Sequence, residues 1–254
     1  MSLWTEYREN PGKPEMVLLH GWGMSSAVWG AFADALSECF SLTLIDLPGL
    51  GNSRDYPEPY TTDAVVDLLE DSCPDQAIWL GWSMGGQFAV AFAERFPERV
   101  TKLITIASNP CFVERDDWPS AMLEQTHAQF EQSLSDNPDK TLIRFCMLQT
   151  QGAEKGKETL KMLRTLLADT AHTAPEESLS ALREDVRQQL GRLKLPILQL
   201  FGEKDLLVPA SAADGCERTT GQQTITYAGA GHLPFYSHQE QVLNDIMAFC
   251  VVEP

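Results

Sequence analysis

The stretch Leu80-Gly81-Trp82-Ser83-Met84-Gly85-Gly86 constrains this chain more than any other. The apolar run Ala77-Ile78-Trp79-Leu80 enters it, and a helix-forming run from Gln87 to Arg95 leaves it. Strand, tight turn and helix in that order put Ser83 at the tip of a sharp reversal, in a strained backbone conformation. Its hydroxyl is lifted above a sheet, and the first amides of the next helix face whatever that hydroxyl meets. Glycine at 81 and 85 suits such a turn, because side chains there would collide with the strand and the helix. A Gly-x-Ser-x-Gly match also occurs in glycine-rich turns that do no chemistry, so the rest of the chain must supply the partners that distinguish the two.

Short continuous apolar runs recur on both sides of this turn. Met16–Leu19, Leu42–Ile45, Leu103–Ala107, Ile197–Phe201 and Thr224–Tyr227 read as strands, the inner ones buried on both faces. Leu3–Arg8 alternates weakly and suits an edge strand. Helical spacing fills Ala27–Cys39, with Val28, Phe32, Ala35 and Leu36 on one face, then Thr61–Asp71 and Gln239–Val251. From Trp118 to about Leu193 the strand rhythm stops, and the segment reads as amphipathic helices broken near Asn137-Pro138, Gly152 and Ala174-Pro175. The expected class is α/β, a mostly parallel, doubly wound sheet with an inserted helical cap. Residues 1–111 and 194–254 would form the core, and 112–193 the cap.

In open parallel sheets ligands bind at the carboxyl ends of the strands, and the chemically suggestive residues all fall there. Ser83 follows one strand, Asp205 another in Phe201-Gly202-Glu203-Lys204-Asp205, and His232 the last in Gly231-His232-Leu233. A serine hydroxyl is a weak nucleophile unless a base takes its proton and an acid orients the base. His232 suits the base and Asp205 the acid, with Glu203 as a competing carboxylate. Attack moves negative charge onto the substrate oxygen, which needs preorganised donors. The expected donors are the backbone amides of Met84 and Trp22, the second aimed by the turn His20-Gly21-Trp22-Gly23. His20 suits a hydrogen-bonding role in that turn, and Asp46 a role in fixing the loop Asp46-Leu47-Pro48-Gly49-Leu50-Gly51-Asn52-Ser53. His127, His172 and His238 read as surface or cap residues.

Composition removes whole classes. A net charge of −17 argues against nucleic acid, since phosphates need a basic surface. No run approaches the ~20 apolar residues of a membrane span. Met1–Glu6 shows neither a basic start nor an apolar signal run, and the six cysteines are scattered without a Cys-x-x-Cys pair. A reduced, cytoplasmic, monomeric protein without metal or other cofactor is expected. One segment runs against the acidic background. From Lys140 to Arg164 six basic residues stand against only Glu154 and Glu158, and Lys140 with Arg144, and Lys157 with Lys161, share helix faces at i,i+4. Such a run is either a solvated face or a patch for an acidic partner.

With the order serine, acid, histidine in place, the chain resembles the α/β-hydrolase family over nearly its full length. The likeness narrows through Gly21-Trp22-Gly23, Asp46–Ser53, Ile78–Gly86, Ala107-Ser108-Asn109-Pro110-Cys111-Phe112, Asp117-Trp118-Pro119 and Leu148-Gln149-Thr150-Gln151-Gly152. Together these are similar to the branch of methyl ester esterases that act on pimeloyl-[acyl-carrier protein] in biotin synthesis. The resemblance implies a serine carboxylesterase, with Ser83, Asp205 and His232 as triad and Trp22 and Met84 at the oxyanion. It also implies an acyl site along Phe145, Cys146, Met147, Leu148 and Gln149, with Trp22, Trp82, Phe145 and Met147 as apolar walls. Lys140, Arg144, Lys157 and Lys161 fall where that branch uses arginines to hold the acidic acyl carrier protein. Three of the four are lysine here, a point charge that lacks the bidentate fork. Haloalkane dehalogenases and epoxide hydrolases need an acid at the nucleophile position, which Ser83 excludes. A general short-chain carboxylesterase, a carbon–carbon bond hydrolase and, more distantly, a non-catalytic ligand receptor share the fold.

Overall fold

The computed structural model describes residues 1–251. Seven strands form one sheet in the order β1-β3-β2-β4-β5-β6-β7. They are β1 Thr5–Arg8, β2 Glu15–Leu19, β3 Ser41–Ile45, β4 Ala77–Trp82, β5 Val100–Ile106, β6 Ile197–Gly202 and β7 Thr224–Tyr227. Only β1 runs antiparallel, pairing Thr5 with Ile45 at the edge and alternating between exposed and half-buried residues. β3, β4 and β6 are buried along their whole length, as parallel strands covered on both faces must be.

Side chains leave successive strand positions on opposite faces, and the core divides accordingly. Met16 and Leu18 of β2, with Ile78 and Leu80 of β4, pack under α1 (Gly30–Ser37) and α11 (Gln239–Val251) through Phe32, Leu36, Val242 and Ile246. Val17, Leu19 and Trp79 pack on the other side against α2 (Thr62–Glu70) and α3 (Met84–Arg95), where Trp79 stacks on Phe92 with ring centroids 3.9 Å apart. Burying each large side chain of this kind is worth about 1.5–3 kcal/mol.

The helical stretch expected over Ala27–Cys39 is in two pieces, a 3₁₀ turn at Ser26–Trp29 and then α1. Gly30 at the joint has a φ of 37°, which a side chain would resist. Beyond β5 come α4 (Glu124–Asp136), α5 (Pro138–Thr150), α6 (Gly156–Asp169), α7 (Pro175–Ser180) and α8 (Arg187–Arg192). The breaks fall where breakers stand. Asn137 Oδ1 accepts from Lys140 N at 3.0 Å and Pro138 opens α5, while Pro175 opens α7. α8 packs beside α3 and α9 (Ala212–Thr220), and α9 packs on β6 and β7. After β7, α10 (Pro234–Ser237) precedes α11. No helix among the described residues is long and apolar enough to cross a membrane.

The chain leaves β2 for β3 on one side, then returns to β4 on the other, so the loops after β2 and β4 diverge at their carboxyl ends. That crevice is where open parallel sheets hold their ligands, and it carries both Gly21-Trp22 and Ser83.

Candidate active site

Ser83 has φ 54° and ψ −120°, outside the regions a serine ordinarily occupies. The surroundings hold it there. Its N–H donates to Ile106 O at 2.9 Å, and its carbonyl accepts from Gly86 N at 2.9 Å and Ser108 Oγ at 2.8 Å. A Cβ on Gly81 would overlap the backbone of Gly85 and Gly86, and one on Gly85 the carbonyls of Leu19 and His20. The two glycines let strand, helix and the β2 loop approach at backbone distance.

Asp205 and His232 are both buried, and Asp205 Oδ2 lies 2.7 Å from His232 Nδ1. Asp205 Oδ1 accepts from Leu207 N at 2.8 Å and Val208 N at 3.0 Å, which locks the carboxylate in one orientation. The hydrogen bond holds the ring proton on Nδ1 and leaves Nε2 as an acceptor, and Nε2 has no partner within the described residues. The residue beside Ser83 anchors this histidine: Trp82 Nε1 donates to His232 O at 2.8 Å. Gln149 O accepts from His232 N at 3.1 Å. The competing carboxylate points elsewhere, since Glu203 accepts from Gly229 N at 2.9 Å and pairs with Lys204 at the surface.

His20 does for the β2 loop what its position suggested. Its Nε2 accepts from Leu47 N at 2.9 Å, so its proton sits on Nδ1 and is donated to Gly21 O at 2.8 Å. Burial pushes its pKa below the ordinary histidine value and keeps it neutral. In a trans peptide the carbonyl and the following N–H point opposite ways, so pinning Gly21 O turns Trp22 N–H the other way. A Cβ on Gly21 would stand 3.1 Å from Ser83 Cβ, so this peptide lies against the serine. Met84 N is the first amide of α3, with no carbonyl of its own helix to bond. Asp46 fixes its loop by accepting from Ser26 N at 2.7 Å and Asn52 N at 2.8 Å.

Ser83 lines a cavity of about 70 Å³ between sheet and cap. Phe130, Phe145, Leu148, Leu179, Leu182 and Leu207 make its apolar walls. Ser83 is buried, whereas Thr126, Gln129 and Arg144 are exposed, so the cavity opens at their end and is closed at the serine. Of the α5 run, Phe145 and Leu148 line it, together with Arg144, because i, i+3 and i+4 share a face. Met147, two residues from Phe145, is turned outward and 52% exposed, so it walls nothing. Cys146 and Gln149 are buried and are not among the residues that line the cavity. Cys146 packs with Leu163, and burial raises its thiol to about 12. Trp22 stands behind the wall, edge-on to Phe145 at 4.8 Å and to Phe130 at 5.6 Å, its Nε1 donating to Pro175 O and Ser178 Oγ at 3.1 Å each. Trp82 is wholly buried.

Lys140 and Arg144 on α5, and Lys157 and Lys161 on α6, are exposed on neighbouring helices, and none forms an ion pair within the described residues. Two other motif residues prove structural. Asn109 Oδ1 accepts from Trp118 Nε1 at 2.9 Å and from Cys111 N at 3.2 Å, tying Asn-Pro-Cys to Asp-Trp-Pro. Sequence reasoning passed over Ser108; of its two readings of His127, surface or cap, the structure has the second, with His127 on α4 buried against the cavity.

A sequence model described as the alpha/beta hydrolase fold matches residues 14–239. The pimeloyl-[acyl-carrier protein] methyl ester esterase of Yersinia pseudotuberculosis serotype O:1b (strain IP 31758) is 38% identical over 250 residues, covering 96% of this chain and 95% of that protein. The protein of the same name from Pectobacterium carotovorum subsp. carotovorum (strain PC1) is 37% identical over 246 residues, covering 95% and 96%. Among solved structures, an esterase from Exiguobacterium antarcticum superposes with a TM-score of 0.85 at 21% identity, covering 97% of this chain and 94% of that one. A bromoperoxidase from Bacillus anthracis gives 0.84 at 20% identity, covering 98% and 95%. At these identities the two structures speak for the fold alone.

Proposed function

This chain belongs to the α/β-hydrolase family, and from that membership we propose that it is a serine carboxylesterase that hydrolyses the methyl ester of pimeloyl-[acyl-carrier protein] to pimeloyl-[acyl-carrier protein] and methanol in biotin synthesis. The observation that carries the reading is a narrow apolar cavity with Ser83 at its closed end and Arg144 at its mouth. Apolar walls of this kind suit a hydrocarbon chain, with the bulky acyl carrier outside.

The geometry supports the following chemistry. His232 Nε2 takes the Ser83 Oγ proton as the oxygen attacks the ester carbonyl. Asp205 holds the imidazole and stabilises its charged form. The amides of Trp22 and Met84 bind the oxyanion. Collapse expels methanol with the proton from His232, leaving an acyl-enzyme. Water then attacks with His232 as base, and a second collapse frees the acid and Ser83. Relatives of this name at 38% identity over nearly the whole chain support the substrate. The reading includes a monomer in a reducing cytoplasm, and the six free thiols support the reducing setting.

Mass spectrometry of pimeloyl-carrier methyl ester incubated with the protein is the direct test. Conversion to the acid is expected, and an unchanged ester in the presence of rapid aryl-ester turnover would overturn the substrate assignment. The cationic face has a separate test. Lys157→Glu with Lys161→Glu should raise KM for the carrier-bound substrate about tenfold at low salt and flatten its salt dependence, since exposed charges are screened over ~8 Å at physiological salt. These two lysines are better chosen than Arg144, which also lines the cavity. A small free ester should change by much less. Equal losses on both substrates would mean a damaged cap.

His20→Ala should lower kcat on every ester by about 10²-fold, the scale of losing one oxyanion donor, because Gly21 O is no longer pinned. It also strands Leu47 N–H in the interior, at about 1–3 kcal/mol. A kcat near that of the wild type, with only the melting temperature reduced, would show that the loop is aimed without His20.

A further inference from the structure

His127 is 2% exposed and lines the cavity; its Nδ1 lies toward the Glu131 carboxylate, and its Nε2 has no hydrogen-bond partner within the described residues. Buried polar groups without partners are uncommon, and one on a ligand cavity wall is waiting for the ligand. Its surroundings decide what that ligand atom must be. Glu131 Oε1 lies 3.4 Å from Nδ1, while Arg183 grips the same carboxylate through Nε at 2.8 Å and Nη2 at 2.6 Å. Burial pulls the imidazole pKa below its ordinary value, with Arg183 acting the same way and the Glu131 and Glu124 carboxylates opposing, so the neutral ring is favoured. A neutral ring has one N–H, and the carboxylate draws it to Nδ1, which leaves Nε2 as a bare acceptor.

A bare acceptor needs a donor. An acyl chain with an ester at one end and a thioester at the other carries only acceptors, so the donor lies beyond the thioester. The position agrees. On α4, His127 is itself buried but lies one and two residues from Thr126 and Gln129, the exposed lining residues of that helix. We propose that His127 Nε2 accepts a hydrogen bond from a secondary-amide N–H in the arm that carries the acyl chain by thioester, making His127 a specificity residue for carrier-linked over free esters. The proposal rests on the carboxylesterase reading above. Nothing in it concerns the reacting carbonyl, so His127 is a positioning residue and its effect belongs in KM.

Two small substrates isolate the amide: the pimeloyl methyl ester as its N-acetylcysteamine thioester, which has one amide N–H, and as its S-butyl thioester, which has none. Methyl-ester hydrolysis is followed on each. Wild type should favour the first, and His127→Leu should cut that preference about tenfold through KM, the scale of one hydrogen bond in a desolvated site. His127→Gln, which keeps an acceptor near the same reach, should restore part of it. His127→Met offers a second acceptor-free side chain should the leucine variant not fold. An equal preference in wild type and the acceptor-free variant overturns the proposal, as does a wild type that does not distinguish the two thioesters. No hydrolysis of either methyl ester by wild type would overturn the esterase reading itself, and this inference with it.

Discussion

Ser83→Ala is expected to lower kcat by about 10⁴-fold or more on carrier-bound and free esters alike, because nucleophile, base and acid act as a unit. The loss should come without loss of fold. The bonds that hold the turn run from the Ser83 backbone to Ile106 O, Gly86 N and Ser108 Oγ, and alanine keeps all of them. Alanine at a φ of 54° is no more strained than serine there. Melting curves of the two proteins should therefore nearly coincide, while burst kinetics with an aryl ester should show no acyl-enzyme in the variant. Substantial residual turnover would place the nucleophile elsewhere.

The second large effect is expected from Asp205→Asn, roughly 10⁴-fold in kcat. The structure gives the reason atom by atom. Leu207 N and Val208 N both donate to Oδ1, so an asparagine keeps its carbonyl oxygen on that side and turns its NH₂ toward His232. An NH₂ group donates, so Nδ1 must become the acceptor and the ring proton moves to Nε2. Nε2, the nitrogen assigned as the base, can then no longer take the Ser83 proton. Glu203→Gln is the control, since that side chain caps Gly229 N at the surface and should change turnover little. The opposite pattern, with Glu203→Gln inactive and Asp205→Asn active, would reverse the assignment.

The cap shows how far periodicity carries. Helix boundaries in α5 and α7 were readable because Asn137-Pro138 and Ala174-Pro175 end and begin helices by local sterics. Which α5 residues would face the cavity was not readable. The run Phe145–Gln149 is apolar or uncharged throughout, so it marks no unique face, and Met147 looks as suitable as Phe145 until the helix is docked. α9 went unread for a related reason. Its sequence, Ala-Ala-Asp-Gly-Cys-Glu-Arg-Thr-Thr, buries only small residues, and packing under β6 and β7 supplies what propensity lacks.

The sequence by itself determined the parallel sheet, the turn at Ser83 and the order of serine, acid and histidine. Continuous apolar runs suit only strands covered on both faces, and glycine at 81 and 85 is set by backbone clashes that any neighbouring residues would produce. Only the tertiary structure separates the surroundings of Asp205 and Glu203, two carboxylates two residues apart in one turn: Asp205 meets two amides and the imidazole, Glu203 the surface amide of Gly229. Only it, too, put His127 against the cavity, because a lone histidine in the polar stretch Glu124–Glu131 acquires its burial from the helices that pack on α4 rather than from its own neighbours. Local sequence sets backbone conformation and the apolar stripe. Which polar atom meets which is fixed by contacts between distant segments, and those contacts carry the chemistry.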